Sequence, residues 1–130
     1  MNTRWVLAGS ALVMGAIGMA ASFLPHEILQ YLGAPAVGIY ALLLQLMGSL
    51  YLGFGILNWM SRRVLIGGIY ARPLAMGNFL HFFVGAMALI KALPVEYLPL
   101  ISIYAIFAAL FGVICFRHPV AVKEVEPVVK

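Results

Sequence analysis

Four apolar stretches dominate this sequence and limit what it can fold into. They span residues 5–24, 37–59, 74–93 and 97–116. A helix needs about 20 apolar residues to cross a bilayer core that is about 30 Å thick. The sequence therefore predicts an all-α membrane protein, a bundle of four transmembrane helices with no soluble domain between them.

Charged residues are too few to cover the surface of a soluble domain. They make up 9% of the chain, whereas a soluble domain typically carries about 25%. Lipid is therefore expected to surround most of the protein, and membrane lipids are its expected partners. The net charge of +4 does not indicate nucleic-acid binding, because the basic residues lie at the ends of apolar stretches.

The basic residues are distributed unevenly between the two ends of the predicted spans. Only Lys91 lies beside the outer ends of the third and fourth spans. The other side collects the N-terminus, the link between the second and third spans, and the C-terminal tail. It holds Arg4, Arg62, Arg63, Arg72, Arg117, Lys123 and Lys130. Because Lys and Arg are enriched in cytoplasmic flanks, we expect both termini in the cytoplasm and a multi-pass protein of a bacterial inner membrane.

A short helix is predicted between the first and second spans. Pro25 suits the first turn of a helix, and Gly33 suits its end. Ile28, Leu29 and Leu32 fall on one face of such a helix. One apolar face on a short segment is typical of a helix that lies in the membrane interface.

The remaining links set the domain organisation. The link at residues 94–96 is so short that the third and fourth spans must be antiparallel neighbours. We expect residues 1–122 to form one four-helix transmembrane domain. Residues 123–130 are charged and few, and we expect them to form a disordered cytoplasmic tail.

Small and polar residues recur at helical spacing in every span. Because lipid tails are as apolar as leucine, membrane helices associate mainly where small residues let their backbones approach. We therefore expect these stripes to face the bundle interior. They are Ala11, Gly15, Gly18 and Ser22; Gly48, Tyr51, Gly55 and Asn58; Gly77, His81, Gly85 and Ala88; and Ala105, Ala108, Gly112 and Cys115.

His81 is the one ionisable residue well inside a predicted span, and such residues often have a function. Tyr51 lies at nearly the same depth of the second span, so a Tyr51–His81 hydrogen bond is feasible. Gln45 lies nearer the outer end of the second span and could bridge helices or line a pocket. Two interpretations stay open: His81 is a neutral ring that joins helices, or these residues bind a ligand.

A second polar group lies around the predicted cytoplasmic loop. It consists of Arg62, Arg63, Arg72, Asn58 and Asn78. Guanidinium groups and amides at a membrane surface can hold lipid phosphate. The alternative is ordinary basic flanking of the spans, with no bound headgroup.

The sequence lacks the residue sets that membrane enzymes and transporters commonly use. The spans contain no Asp or Glu, which argues against an antiporter of the small multidrug resistance type, since that type relies on a membrane-embedded Glu. No His, Cys and Asp lie at metal-ligand spacing, and no Ser-His-acid set can be assembled in the bilayer. We therefore expect no metal, no cofactor and no catalytic residues.

The second span contains the Gly- and Tyr-rich segment QLMGSLYLGFG at residues 45–55, and a Pro-led segment follows the first span. With four spans, this pattern resembles the small DoxX-like membrane proteins and related families. Members of that group are associated with membrane-bound oxidoreductase or sterol-type enzyme assemblies, often as non-catalytic subunits. The resemblance covers the layout and this one segment, and it transfers no site residue.

Two functions fit the sequence. The first is a non-catalytic subunit or scaffold that binds a membrane-protein partner. The second is a protein that binds an apolar small molecule, a quinone or a lipid, within the bundle near His81 and Tyr51.

Overall fold

The computed structural model describes residues 3–63 and 71–116. The helices are α1 (Thr3–Phe23), α2 (Pro25–Tyr31), α3 (Gly38–Ser61), α4 (Ala71–Ala92) and α5 (Leu98–Phe116), with a 3-10 turn at Val95–Tyr97. Within this part of the chain, α1, α3, α4 and α5 are long and apolar enough to cross a membrane. The predicted all-α four-helix membrane bundle is confirmed. The predicted domain end at residue 122 and the tail at 123–130 lie outside the described residues.

The short helix α2 connects α1 to α3 at one end of the bundle. Pro25 occupies its first turn, where a missing N–H costs no helical hydrogen bond. Gly33 follows its end with φ of 65°, the left-handed conformation that glycine adopts readily after a helix. Leu29 and Pro25 are buried against the bundle, so α2 is held in place by one apolar side.

Helices α1 and α3 pack with their backbones in contact. A Cβ atom added to Gly18 would lie 2.7 Å from the backbone nitrogen of Leu52. One added to Gly48 would lie 2.7 Å from the backbone nitrogen of Ser22. One added to Gly55 would lie 3.2 Å from a carbonyl oxygen of α1. The small-residue stripes of the first two spans therefore face each other, which is how membrane helices approach closely.

Between α4 and α5, aromatic rings of one helix pack against glycines of the other. A Cβ atom on Gly85 would lie 2.7 Å from the ring of Tyr104, and one on Gly112 would lie 3.2 Å from the ring of Phe79. The short link at Val95–Tyr97 makes these helices antiparallel neighbours, as the sequence predicts. This pair is therefore held by aromatic contact as well as by small residues.

The interior stripe predicted for α4 is only partly right. Gly77, His81 and Gly85 are half-buried and lie against rings of neighbouring helices, but the most deeply buried face is a different one. The buried face runs through Ala75, Asn78, Phe82 and Ala86, about 100° around the helix from the predicted stripe, which is one residue of helical rotation. Ala88 consequently faces outward. Ala105, predicted to face inward on α5, is exposed as well. Large aromatic rings fill this part of the interior. Some small residues of α4 and α5, such as Ala88 and Ala105, therefore lie on the outside of the bundle.

The α1–α3 pair and the α4–α5 pair meet through side chains. Met14, Phe82 and Phe111 are fully buried where the pairs meet. Tyr104 and Leu7 belong to the same apolar cluster. Side chains on the outside of the helices are also mostly apolar, which is compatible with contact to lipid.

Candidate functional site

Tyr51, His81 and Tyr104 form a layer near the middle of the bundle. Tyr51 lies ten residues before the end of α3, and His81 lies ten residues after the start of α4. At 1.5 Å per residue, both are about 15 Å from that end of their helices. The hydroxyl groups of Tyr51 and Tyr104 are joined by a hydrogen bond, so α3 and α5 are linked at this depth.

Aromatic rings surround the imidazole of His81. Its centroid lies 4.9 Å from Tyr51 and 5.2 Å from Phe82, both edge to face. It lies 5.7 Å from Phe54, which stacks on it. The Nε2 atom is buried and has no hydrogen-bond partner among the described residues. The Tyr51–His81 hydrogen bond, which the sequence made feasible, is not among the hydrogen bonds of the described residues. The two rings touch, and the Tyr51 hydroxyl bonds to Tyr104.

Tyr104 is the residue of this layer that the sequence prediction missed. It is buried on α5, in a span whose other residues gave no polar signal. A buried tyrosine usually needs a hydrogen-bond partner for its hydroxyl. A search for tyrosines at equal depth in different spans would have paired it with Tyr51.

Gln45 does not join this layer. Its side chain is exposed, and its Nε2 lies 3.4 Å from the carbonyl oxygen of Ser22 near the end of α1. It lies six residues before Tyr51, about 9 Å along α3. The structure thus brings Tyr51 and His81 together, as predicted, and separates Gln45 from them.

Asn58 and Asn78 form a buried amide pair between α3 and α4. The Nδ2 of Asn58 donates to Oδ1 of Asn78 at 2.6 Å, and the Nδ2 of Asn78 donates to Oδ1 of Asn58 at 2.7 Å. Asn58 also donates to the hydroxyl of Ser10 at 3.0 Å, and Asn78 to the carbonyl oxygen of Leu74 at 2.9 Å. Each amide uses both N–H groups inside the bundle.

The predicted group of phosphate ligands is therefore divided. Asn58 and Asn78 have no exposed surface, so they cannot contact a headgroup, and their assignment is corrected to helix–helix bonding. Arg63 and Arg72 are exposed near the ends of α3 and α4. Arg62 follows α3, and its guanidinium carbon lies 3.8 Å from the centre of the Trp59 ring. The loop at 64–70 lies outside the described residues.

Metal-ligating side chains do not cluster in the part of the chain that the structure describes, where no three His, Cys, Asp or Glu residues come together. Comparison of the chain with family models, with curated proteins and with solved structures finds no match. Neither the DoxX-like resemblance nor any activity gains support from these comparisons, and the site has to be argued from its geometry.

Proposed function

We propose that this protein is a non-catalytic membrane subunit or scaffold that binds a transmembrane helix of a partner protein along α3. The observation that carries the proposal is an outward-facing stripe on α3. Gln45, Ser49 and Gly53 are all exposed, and spacing by four residues places them on one side of the helix.

The stripe has the properties of a helix-association surface. Among the described residues, a Cβ atom on Gly53 would meet nothing within 4 Å, so the backbone of another helix can approach closely there. The Ser49 hydroxyl donates to the carbonyl oxygen of Leu46 at 2.7 Å. Ser49 is therefore a small residue whose polar group already has a hydrogen-bond partner. The Gln45 amide donates one N–H group to the carbonyl oxygen of Ser22 and has a second N–H group for a partner. Polar contacts of this kind between membrane helices are favourable.

The test is to fill the small space at Gly53. We expect wild-type protein, tagged and purified in mild detergent, to carry one membrane-protein partner at a fixed stoichiometry. Gly53→Leu should reduce the retained partner about fivefold, which corresponds to about 1 kcal/mol, the scale of membrane helix contacts. Quantitative mass spectrometry of the purified complex measures this.

Ala16→Leu is the matched control, because Ala16 is also small and exposed but lies on α1. It should retain the partner at the wild-type level. Purified wild type without a stoichiometric partner, or equal retention by both variants, would contradict the proposal.

A second candidate function is the binding of an apolar small molecule, such as a quinone or a lipid, at His81. The buried Nε2 atom, which has no hydrogen-bond partner in the part of the chain that the structure describes, favours it, because buried polar groups normally have such a partner. A carbonyl oxygen on a flat apolar molecule could accept a bond from an Nε2–H group. Stacking on Phe54, as the imidazole already stacks, would bind the apolar body.

Substitution of His81 separates the two candidates. If His81 only joins helices, His81→Gln should stay within about 1 kcal/mol of wild-type stability and should keep the protein partner. Solvent extraction of the purified protein, followed by mass spectrometry for quinones and lipids, reports a bound molecule. A folded His81→Gln variant that loses a molecule bound to wild type would place the ligand-binding function ahead of the scaffold.

The membrane orientation is part of the same proposal. Gly48 lies beside Ser22 and Gly55 lies beside Ala11, so α1 and α3 run in opposite directions. Tyr51 contacts His81 and Asn58 bonds to Asn78, so α3 and α4 do so as well. The flanks of α1, α3 and α4 that carry arginines therefore share one end of the bundle. We place that end in the cytoplasm of a bacterial inner-membrane protein, following the preference of Lys and Arg for cytoplasmic flanks. Kinship with DoxX-like proteins rests on the segment at 45–55 and the four-span layout.

A further inference from the structure

An apolar groove runs along the outside of the bundle between α1 and α3. Its volume is about 260 Å³, larger than an apolar cavity of about 150 Å³ that can hold a benzene molecule. Ala11, Leu12, Gly15, Leu52, Gly55, Ile56 and Trp59 line it. The groove exists because Gly15 and Gly55 face each other where α1 and α3 are in contact and leave space that side chains would fill. The larger side chains on either side form its walls.

One end of the groove carries a positive charge. Trp59 closes the groove at the end nearest the C-terminus of α3. The guanidinium of Arg62 stacks on the Trp59 ring and donates to the Trp59 carbonyl oxygen. Both contacts hold the cation where the transmembrane helix ends. A guanidinium has five N–H donors, so donors remain for an anion.

We infer that this groove binds one acyl chain of an anionic glycerophospholipid, whose phosphate group contacts Arg62. The charge at the groove end is complementary to a phosphate, and the apolar lining is complementary to a hydrocarbon chain. From Leu52 to Trp59 the groove follows about 10 Å of α3. That length takes a segment of an acyl chain while the headgroup stays at the membrane surface.

The spatial order of these features selects a lipid over other occupants. An acyl chain enters from the hydrocarbon region, and its headgroup must lie at the interface, which is where Trp residues are enriched and where Arg62 follows the last turn of α3. A free anion would leave the apolar groove empty. An apolar helix of a second chain would fill the groove but would bring no anion to the guanidinium of Arg62 at its end.

The test measures lipid binding to protein delipidated in detergent, by native mass spectrometry with dioleoyl phosphatidylglycerol. We expect one lipid to bind wild type more tightly than the rest. Gly15→Leu should weaken that site about tenfold, about 1.4 kcal/mol, because a side chain there fills the groove. A Cβ atom on Gly15 would meet no atom of the described residues within 4 Å, so the α1–α3 pair should stay intact. Gly38→Leu, equally free of contacts, should bind like wild type.

The headgroup contact has its own variant and control. Arg62→Gln should weaken the site about tenfold, whereas Lys91→Gln, which removes the same charge at the other end of the bundle, should not. Dihexanoyl phosphatidylglycerol, with short chains, should bind wild type less tightly than the dioleoyl lipid. Equal binding by Gly15→Leu and Gly38→Leu would overturn the groove assignment. Equal binding by Arg62→Gln and Lys91→Gln would overturn the assignment of the phosphate, and a change in oligomeric state without loss of lipid would assign the groove to a second copy.

Discussion

Gly48→Leu is expected to force α1 away from α3 and to destabilise the protein by about 3 kcal/mol or more. Overpacking typically costs about 1–3 kcal/mol when neighbouring side chains can shift. Here the added Cβ would lie 2.7 Å from the backbone nitrogen of Ser22 and 3.0 Å from the backbone carbon of Ala21. Those atoms belong to the helix α1 itself, so relief requires movement of the whole helix.

Thermal unfolding in detergent, followed by circular dichroism or by loss of monodispersity, measures the effect. Gly38→Leu is the matched control on the same helix, because a Cβ there meets nothing within 4 Å. It should unfold at a temperature close to that of wild type. Similar unfolding temperatures for the two variants would show that α1 and α3 do not pack through Gly48.

The helices themselves were predictable because the bilayer imposes their length. A spanning segment must satisfy its backbone hydrogen bonds internally and remain apolar for about 20 residues, and the four long helices agree with the predicted spans within a few residues. The α1–α3 contact was also predictable. Its small residues lie at helical spacing in both spans, and small residues are what let the backbones of membrane helices approach.

The rotation of α4 could not be read from the same rule. In a soluble protein the polar face of a helix points to water, but here Phe82 inside the bundle and Phe83 outside it are equally apolar. Hydropathy therefore carries no information on which side is buried. The small residues Gly77 and Ala88 suggested one face, whereas the large rings that fill the space between the helix pairs occupy another.

The candidate site, too, was only partly predictable from the sequence. Equal depth in two spans was enough to bring Tyr51 and His81 together. It could not assign the hydrogen bonds, because the Tyr51 hydroxyl has a better partner in Tyr104. Asn58 and Asn78 were assigned to the membrane surface because they lie near a basic loop. The interior stripe of the second span also placed Asn58 inside the bundle, where it lies. Asn78 was not on the stripe predicted for the third span, so the pairing of the two amides was not predicted.

The buried amide pair leads to the second large effect. Asn58→Leu removes its bonds to Asn78 and Ser10. It leaves Oδ1 of Asn78 without a donor in an apolar interior, whereas Nδ2 of Asn78 keeps its bond to the Leu74 carbonyl oxygen. A buried polar group without a partner costs about 1–3 kcal/mol, although single hydrogen bonds between membrane helices contribute less. We therefore expect a loss of about 2 kcal/mol. Gln30→Leu removes an exposed amide on α2 and should have little effect.

A double-mutant cycle separates the pair from the individual side chains. Asn58→Leu with Asn78→Leu leaves neither amide unpaired, so the double variant should be destabilised by less than the sum of the two single variants. The coupling should be about 1 kcal/mol, within the range for residues in direct contact. Reversible unfolding in mixed micelles gives the four free energies of the cycle. Additive losses would mean that the two amides do not bond to each other, and that α3 and α4 are joined deeper in the bundle, where the rings of Tyr51 and Phe54 contact His81.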